Sequence, residues 1–205
     1  MTTTVAAFDV DGTLTTRDCV VPFMRHIAGT RRVAARLARR PDRLIPSLVR
    51  RDRDAVKALA AAAAFTGQRI DDLESAGSDF AQHVFSSWMR NDTTEVLAGH
   101  LGKDHRVVLV SASFEIYLRP LADLLGVDSV LGTRLAHVDG VATGDLDGPN
   151  CRGSEKVRRL HTWLDAGLGG RDAAHVVAYG DSAGDRELLA DADDAHWVNR
   201  DRAPR

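Results

Sequence analysis

Two carboxylates, Asp9 and Asp11, stand one residue apart in FDVDGTLT, residues 8–15. An apolar run precedes them and Gly12-Thr13 follows, so the pair falls in a turn at the end of a buried strand. Two more, Asp181 and Asp185, follow a similar apolar run in AAHVVAYGDSAGDREL. Carboxylates gathered at one place repel one another and raise one another's pKa. A hard divalent cation removes that penalty. Mg²⁺ takes oxygen ligands, keeps several waters and usually pairs with phosphate. Ser111 ends a third apolar run, HRVVLVSAS, and Lys156 opens a helical stretch, SEKVRRL. A lysine, a hydroxyl and turn amides are what a phosphate dianion needs. A carboxylate beside Mg²⁺ can attack phosphorus in line and form an aspartyl-phosphate. A second carboxylate two residues on, aimed elsewhere by the turn, can protonate the leaving oxygen and later deprotonate the attacking water.

These residues need elements to bring them together. TTVAAFDV, HRVVLVSAS and AAHVVAYGDS read as three buried strands, each ending in a polar turn. From about Cys19 to His105 the pattern is helical: VVPFMRHIA, RRVAARLARR, RLIPSLVRR, DAVKALAAAAAF, IDDLESAGSDFAQHVFSSWM and TTEVLAGHLG, punctuated by Pro22, Pro41, Pro46 and Gly67. FEIYLRPLADLLG is a helix that Pro120 could bend, and VDGVATG reads as a hairpin turn and return strand. SEKVRRLHTWLDAG and DRELLADA are helices, and AHWVN is a last strand. Strands alternating with helices predict a parallel sheet, whose ligands sit beyond the carboxyl ends of the strands. If the three strands are neighbours, their turns meet. The helical stretch would then be an insertion covering that meeting point. The expected organisation is a core domain of residues 1–17 and 101–205, with a helical cap at 18–100.

Each residue also has a plainer role. Asp9 and Asp11 suit an Asx-type turn, and Asp185 suits a first helical turn. Ser111 could cap the helix that begins near FEIYL, but Ser113 is at least as good a cap and leaves Ser111 free. Lys156 could be an ordinary solvated helix residue. The segment 31–53 holds nine arginines and two aspartates. It reads either as a cationic cap that attracts phosphorylated substrates or anionic surfaces, or as a solvated face in an Ala- and Arg-rich chain.

The whole chain sets the bounds. Its 205 residues suit one sizeable domain, or one domain with a smaller insertion. With 44% hydrophobic and 27% charged residues it can bury a core, and a net charge of −2 gives no global pull toward nucleic acid or an anionic membrane. Cys19 and Cys151 are too few for a disulfide framework or a zinc site and read as free thiols in a reducing compartment. No basic leader and no run of ~18 apolar residues stands in the sequence, so neither a signal peptide nor a membrane span is expected. A cytoplasmic protein acting on a small molecule is the default expectation.

Four segments carry a resemblance. FDVDGTLT resembles the first motif of the haloacid dehalogenase superfamily, VVLVSAS its second, Lys156 in GSEKVRRL its third and AYGDSAGDREL its fourth. Their order and spacing agree, across residues 5–188. The run SASFEIYLRPLADLLGVDSVLGTRLAHVDGVATG, followed by NCRGSEKVRRL, looks like the phosphoserine-phosphatase-like branch, subfamily IB. The resemblance implies an α/β fold: a Rossmann-like parallel sheet core with a helical cap inserted between the first and second motifs. It implies Asp9 as nucleophile and Mg²⁺ ligand, and Asp11 as general acid/base whose backbone carbonyl also binds the metal. Ser111, Ala112 and Lys156 would hold the phosphoryl group. Asp181 would bind Mg²⁺, Asp185 would support the metal site, and Thr13 would hydrogen-bond within the turn. Members that process haloalkanoates lack an acid/base carboxylate at the second position, so Asp11 points to phosphoryl transfer. The implied activity is Mg²⁺-dependent hydrolysis of a small phosphorylated metabolite through an aspartyl-phosphate. A phosphotransferase or mutase using the same intermediate, and phosphoserine phosphatase itself, stand as alternatives. Asp18 lies near the position where phosphoserine phosphatases hold the substrate amine with a longer glutamate. Gly184 replaces a polar residue of the fourth motif. Together these leave phosphoserine possible but not favoured over a sugar phosphate, an amino-alcohol phosphate or a lysophospholipid head group.

Overall fold

The computed structural model describes residues 2–127 and 129–198. Met1, Asp128 and residues 199–205 lie outside them, including Asn199 at the end of the expected strand AHWVN. Strand β1 (Thr3–Phe8) leads into helices α1 (Val20–Ala28), α2 (Thr30–Ala38), α3 (Pro41–Val49), α4 (Arg53–Phe65), α5 (Ile70–Ser87) and α6 (Asn91–Leu101). Then follow β2 (Arg106–Phe114), α7 (Glu115–Leu125), β3 (Ser129–Thr133), β4 (Leu135–Val138) and β5 (Val141–Leu146). The described residues end with α8 (Ser154–Leu168), β6 (Ala174–Gly180), α9 (Arg186–Asp191) and β7 (Asp194–Trp197).

The main sheet runs β3-β2-β1-β6-β7, and every neighbouring pair is parallel. Parallel neighbours need crossovers, which is why helices separate these strands. The first strand lies between the other two motif-bearing strands: Phe8 pairs with Leu109 on one side and Tyr179 on the other. Their carboxyl ends therefore share one edge, as expected from the α/β reading.

Side chains alternate across β1 with period two. Ala6 and Phe8 face a core shared with Leu109, Phe114, Tyr117 and Leu121. Val5 and Ala7 face the opposite core, with Val108, Leu160, Leu164, Val176 and Leu188. Helices α8 and α9 thus cover one face, and α7 helps to cover the other.

The helical insertion is welded to this second face. Phe23, Phe65 and Phe80 from α1, α4 and α5 pack edge-on or tilted against one another and against Phe114 and Tyr117, with ring centroids 4.7–5.9 Å apart. Helix α5 can lie close to α7 because residue 77 is glycine: a Cβ there would stand 2.5 Å from the Ile116 carbonyl oxygen. The expected hairpin is β4–β5, turning at Asp139 and Gly140, both at positive φ. It grips the link between α4 and α5 through Gly67 N to Ala142 O (2.9 Å) and Ala142 N to Gln68 O (2.8 Å). Pro120 sits inside α7 without ending it.

Candidate active site

The turn after β1 is built around one carbonyl. Val10 O accepts backbone N–H bonds from Thr13 (3.2 Å), Leu14 (2.9 Å) and Thr15 (2.9 Å), with Gly12 at φ +83°. This folding back separates the two carboxylates of the first motif. Thr13 Oγ1 donates to Asp9 Oδ2 at 3.2 Å.

Asp9 points inward and is buried. Lys156, at the start of α8 and 2% exposed, donates to Asp9 Oδ1 at 2.6 Å and to Asp185 Oδ1 at 2.5 Å. Burial and the Asp185 charge push the Asp9 carboxyl up to about 8, against the pull of Lys156. Burial acts in the same direction on Asp185, but Lys156 and the Ser182 hydrogen bonds outweigh it and hold that carboxyl below its ordinary value. For Lys156, burial disfavours the charge, yet its two carboxylate neighbours hold the ammonium well above the usual lysine range. Asp185 occupies the N-cap position of α9, but its carboxylate serves Lys156 and the Ser182 amide (3.0 Å) and hydroxyl (2.8 Å) instead of the helix.

Asp181 completes the acidic cluster. Asp9, Asp181 and Asp185 each offer a carboxylate oxygen within 4.8 Å of the others, and all three are buried. Gly12 makes room for this: a Cβ there would collide with the Asp181 carboxylate. Three buried, hard oxygen donors are ligands of the kind that a hard divalent cation takes. A divalent cation among them would favour the ionised Asp9 that burial alone disfavours.

Asp11 is held apart from that cluster. Its Oδ1 accepts from the Cys19 backbone N–H at 2.9 Å, and its Oδ2 accepts from Ser113 Oγ at 2.5 Å. Tyr117, one turn into α7, donates to the same serine hydroxyl at 2.5 Å. Burial and the nearby Asp18 charge push the Asp11 carboxyl up to about 6, and the bonds from Ser113 and Cys19 temper the rise.

This corrects the reading of Ser113 as a helix cap. Phe114 holds the N-cap position of α7, which has no side-chain cap bond, and the Ser113 hydroxyl is spent on Asp11. Strand β2 runs on through both serines to Phe114, with a register shift against β3 between Val110 and Phe114. Within that irregular stretch Ser111 Oγ accepts from the Ser113 amide at 3.2 Å, and Ser111 and Ala112 line the cavity above Asp9.

The family pattern of haloacid dehalogenase-like hydrolases matches residues 6–190. The chain belongs to that family. Protein CicA of Caulobacter vibrioides is 38% identical to this chain over 195 residues, covering 93% of this chain and 83% of CicA. A solved structure of a protein of unknown function from Bordetella pertussis Tohama I is 27% identical, with a TM-score of 0.75 over 93% of this chain and 87% of its own. Phosphoserine phosphatase in its apo form shares the fold at 19% identity, with a TM-score of 0.60, covering 93% of this chain and 83% of that one.

In this member of the haloacid dehalogenase-like family, a cavity of about 640 Å³ runs from Asp9, Asp11, Lys156 and Asp181 up to the helical insertion. Asp18 lies on its wall and is exposed; its Oδ1 accepts from Val21 N at 3.1 Å, steadying the first turn of α1. Gly184 faces Arg152, whose Nε would lie 3.0 Å from a Cβ at that position, so a cation borders the cavity there.

Lys57 is one of the cavity residues that residue type and spacing did not single out. Lys57 reaches down from α4 and donates to the Ala112 carbonyl, to Thr133 Oγ1 (3.1 Å) and to Asn150 Oδ1 (2.6 Å). Asn150 in turn donates to Asp54 Oδ1 at 2.7 Å. Burial lowers the Lys57 ammonium to about 8. The signal available was compositional: Lys57 is one of only three lysines, set in a stretch where every other cation is arginine. Ser113 and Tyr117 left a weaker trace, since their role depends on which way β2 and α7 turn them.

Proposed function

We propose that this hydrolase is a Mg²⁺-dependent phosphomonoesterase that works through an aspartyl-phosphate on Asp9. The observation that carries the proposal is the division between the two carboxylates of one turn. Asp9 lies in the buried cluster with Lys156, Asp181 and Asp185, and Asp11 is turned aside by Ser113 and Cys19.

In this reading a small phosphate ester enters with its phosphoryl group against Lys156, Ser111 and the Ala112 turn. Asp9 attacks phosphorus in line, and the P–O bond to the leaving group breaks. Asp11, with a carboxyl near 6, gives its proton to the departing oxygen. It then takes a proton from the water that attacks the phosphoryl group, which frees inorganic phosphate and restores Asp9. Asp9, Asp181 and the Asp11 carbonyl would hold Mg²⁺, with Asp185 in support; the ion supplies positive charge that offsets the charge gathering on the phosphoryl oxygens. Asp18, Lys57 and Arg152 border the space left for the rest of the substrate. Residues 1–17 and 101–205 form the catalytic unit and 18–100 its cap. Helix α6, with Leu97 buried and His100 bonded to Tyr179 (2.9 Å), leads the chain back to the sheet.

The test is phosphate release from a panel of small phosphomonoesters with Mg²⁺, for wild type and Asp9→Asn in parallel. Release by wild type, stopped by EDTA, and none by the variant is the expected result. Equal release by both proteins would remove Asp9 from the chemistry. No turnover by either, with or without added alcohol or sugar acceptors, would sink the reading.

A further inference from the structure

Helix α3 wears its apolar residues on the outside. Ile45, Leu48 and Val49 fall at i, i+3 and i+4, on one stripe of the helix. They are 58%, 55% and 77% exposed. Leu44 and Ser47, on another side, are the half-buried residues. A helix serving only its own core would show the reverse pattern.

Around this stripe lies concentrated positive charge. Residues 31–53 carry nine arginines against Asp42 and Asp52, in a chain whose net charge is −2. Among the described residues none of these arginines forms an ion pair, and all but Arg36 are exposed. Arg36 alone is engaged, donating to the Ala63 carbonyl at 2.8 Å.

The same face borders the cavity mouth. Leu48 and Arg51, with Val21 of α1 at 48% exposure, line the cavity that descends to Asp9.

We propose that the face formed by α2 and α3 docks on an anionic phospholipid bilayer. Apolar side chains ringed by arginine are the composition of a helix that lies in the membrane interface: hydrocarbon takes the stripe and lipid phosphates take the guanidinium groups. A second copy of the chain fits poorly, because two arginine-dense faces repel. Nucleic acid would satisfy the arginines and leave Ile45, Leu48 and Val49 in water. Since the mouth opens beside the stripe, docking would present the site to phosphate esters held at the bilayer surface. That consequence rests on the proposed hydrolase activity, but the docking itself does not.

The experiment is co-sedimentation of the full chain with phosphatidylcholine vesicles, and with vesicles of phosphatidylcholine mixed with phosphatidylglycerol. Hydrolysis of a soluble phosphate ester is read on the same samples. The wild type should sediment with the anionic vesicles and weaken as salt rises. Ile45→Asp/Val49→Asp, at two exposed positions away from the cavity lining, should reduce sedimentation about tenfold or more, as loss of the buried apolar stripe implies. Arg39→Glu/Arg43→Glu should do the same through charge, with soluble-ester turnover kept in both variants as evidence of an intact fold. Equal partition onto neutral and anionic vesicles would overturn the proposal. So would undiminished binding by the Ile45→Asp/Val49→Asp variant, or binding of the wild type to duplex RNA but not to vesicles. If vesicle binding appears as expected while no ester is turned over, the docking stands and the hydrolase reading falls.

Discussion

Replacing Lys156 by methionine keeps most of the side chain's volume and deletes its charge. The ammonium is 2% exposed and serves two buried carboxylates, Asp9 at 2.6 Å and Asp185 at 2.5 Å. Breaking a buried pair from one side leaves uncompensated charge and costs about 3–5 kcal/mol. At about 2–4 °C per kcal/mol for a chain of this size, the thermal midpoint should fall by roughly 10 °C. The loss has a pH signature. Without the lysine, the folded-state pKa of Asp9 rises further above its ordinary 3.8, and Asp185 joins it. A carboxyl raised in the fold is penalised above its unfolded value, and the penalty is relieved as pH falls through the folded value. The gap between wild type and variant should therefore widen from pH 4 toward pH 8. Mg²⁺ should close part of it, by binding the folded state of the variant. The assay is thermal unfolding across that range, with EDTA and with Mg²⁺. A midpoint within about 2 °C of wild type at pH 8, or a gap indifferent to pH, would refute the idea that the Lys156 ammonium offsets the charge of Asp9 and Asp185.

Three further outcomes are expected. Ser113→Ala should lose about 1–3 kcal/mol in urea unfolding, because the Tyr117 hydroxyl is left buried without its acceptor. It should also move the rate limb set by Asp11 from near 6 to higher pH, and Ser113→Thr should restore both. Asp11→Asn should slow turnover at least ~10²-fold. The same change should raise the thermal midpoint at pH 8, an advantage that fades toward pH 4, because a carboxyl pushed up to about 6 burdens the fold above its unfolded value. His100, hydrogen-bonded to His105 at 2.8 Å, has its pKa held below 6.5 by burial and by that neighbour. The unfolded chain binds the proton first, so stability should fall as pH drops below about 6.5, and the fall between pH 7.5 and 5 should be smaller in His100→Gln.

Much of this molecule was legible in one dimension. Apolar runs closed by aspartate or serine marked β1, β2 and β6, because a strand buried on both faces must be apolar throughout and can turn polar only where it leaves the sheet. Spacing placed Asp9 and Asp11 in one turn, and the parallel-sheet rule put Asp181 at the same edge. Those inferences hold because they depend on local periodicity and on a topology with few alternatives.

What the sequence could not decide was direction and reach. Ser113 looked like a helix cap, and only the fold of β2 into α7 turns its hydroxyl onto Asp11. Lys57 lies 55 residues from the Ala112 carbonyl it bonds, a contact that exists only because aromatic packing sets α4 over the sheet. Arg152 became a cavity neighbour because Gly184 leaves it space. The arginines of residues 31–53 were visible as a run, but whether they formed a solvated face or a docking surface was open. The outward turn of Ile45, Leu48 and Val49 beside the cavity mouth is what favours the second reading. Residue type and periodicity determine which elements form and which groups can do chemistry. Long-range packing determines which way those groups point and what they meet, because side-chain contacts across the chain are set by three-dimensional closure and not by spacing.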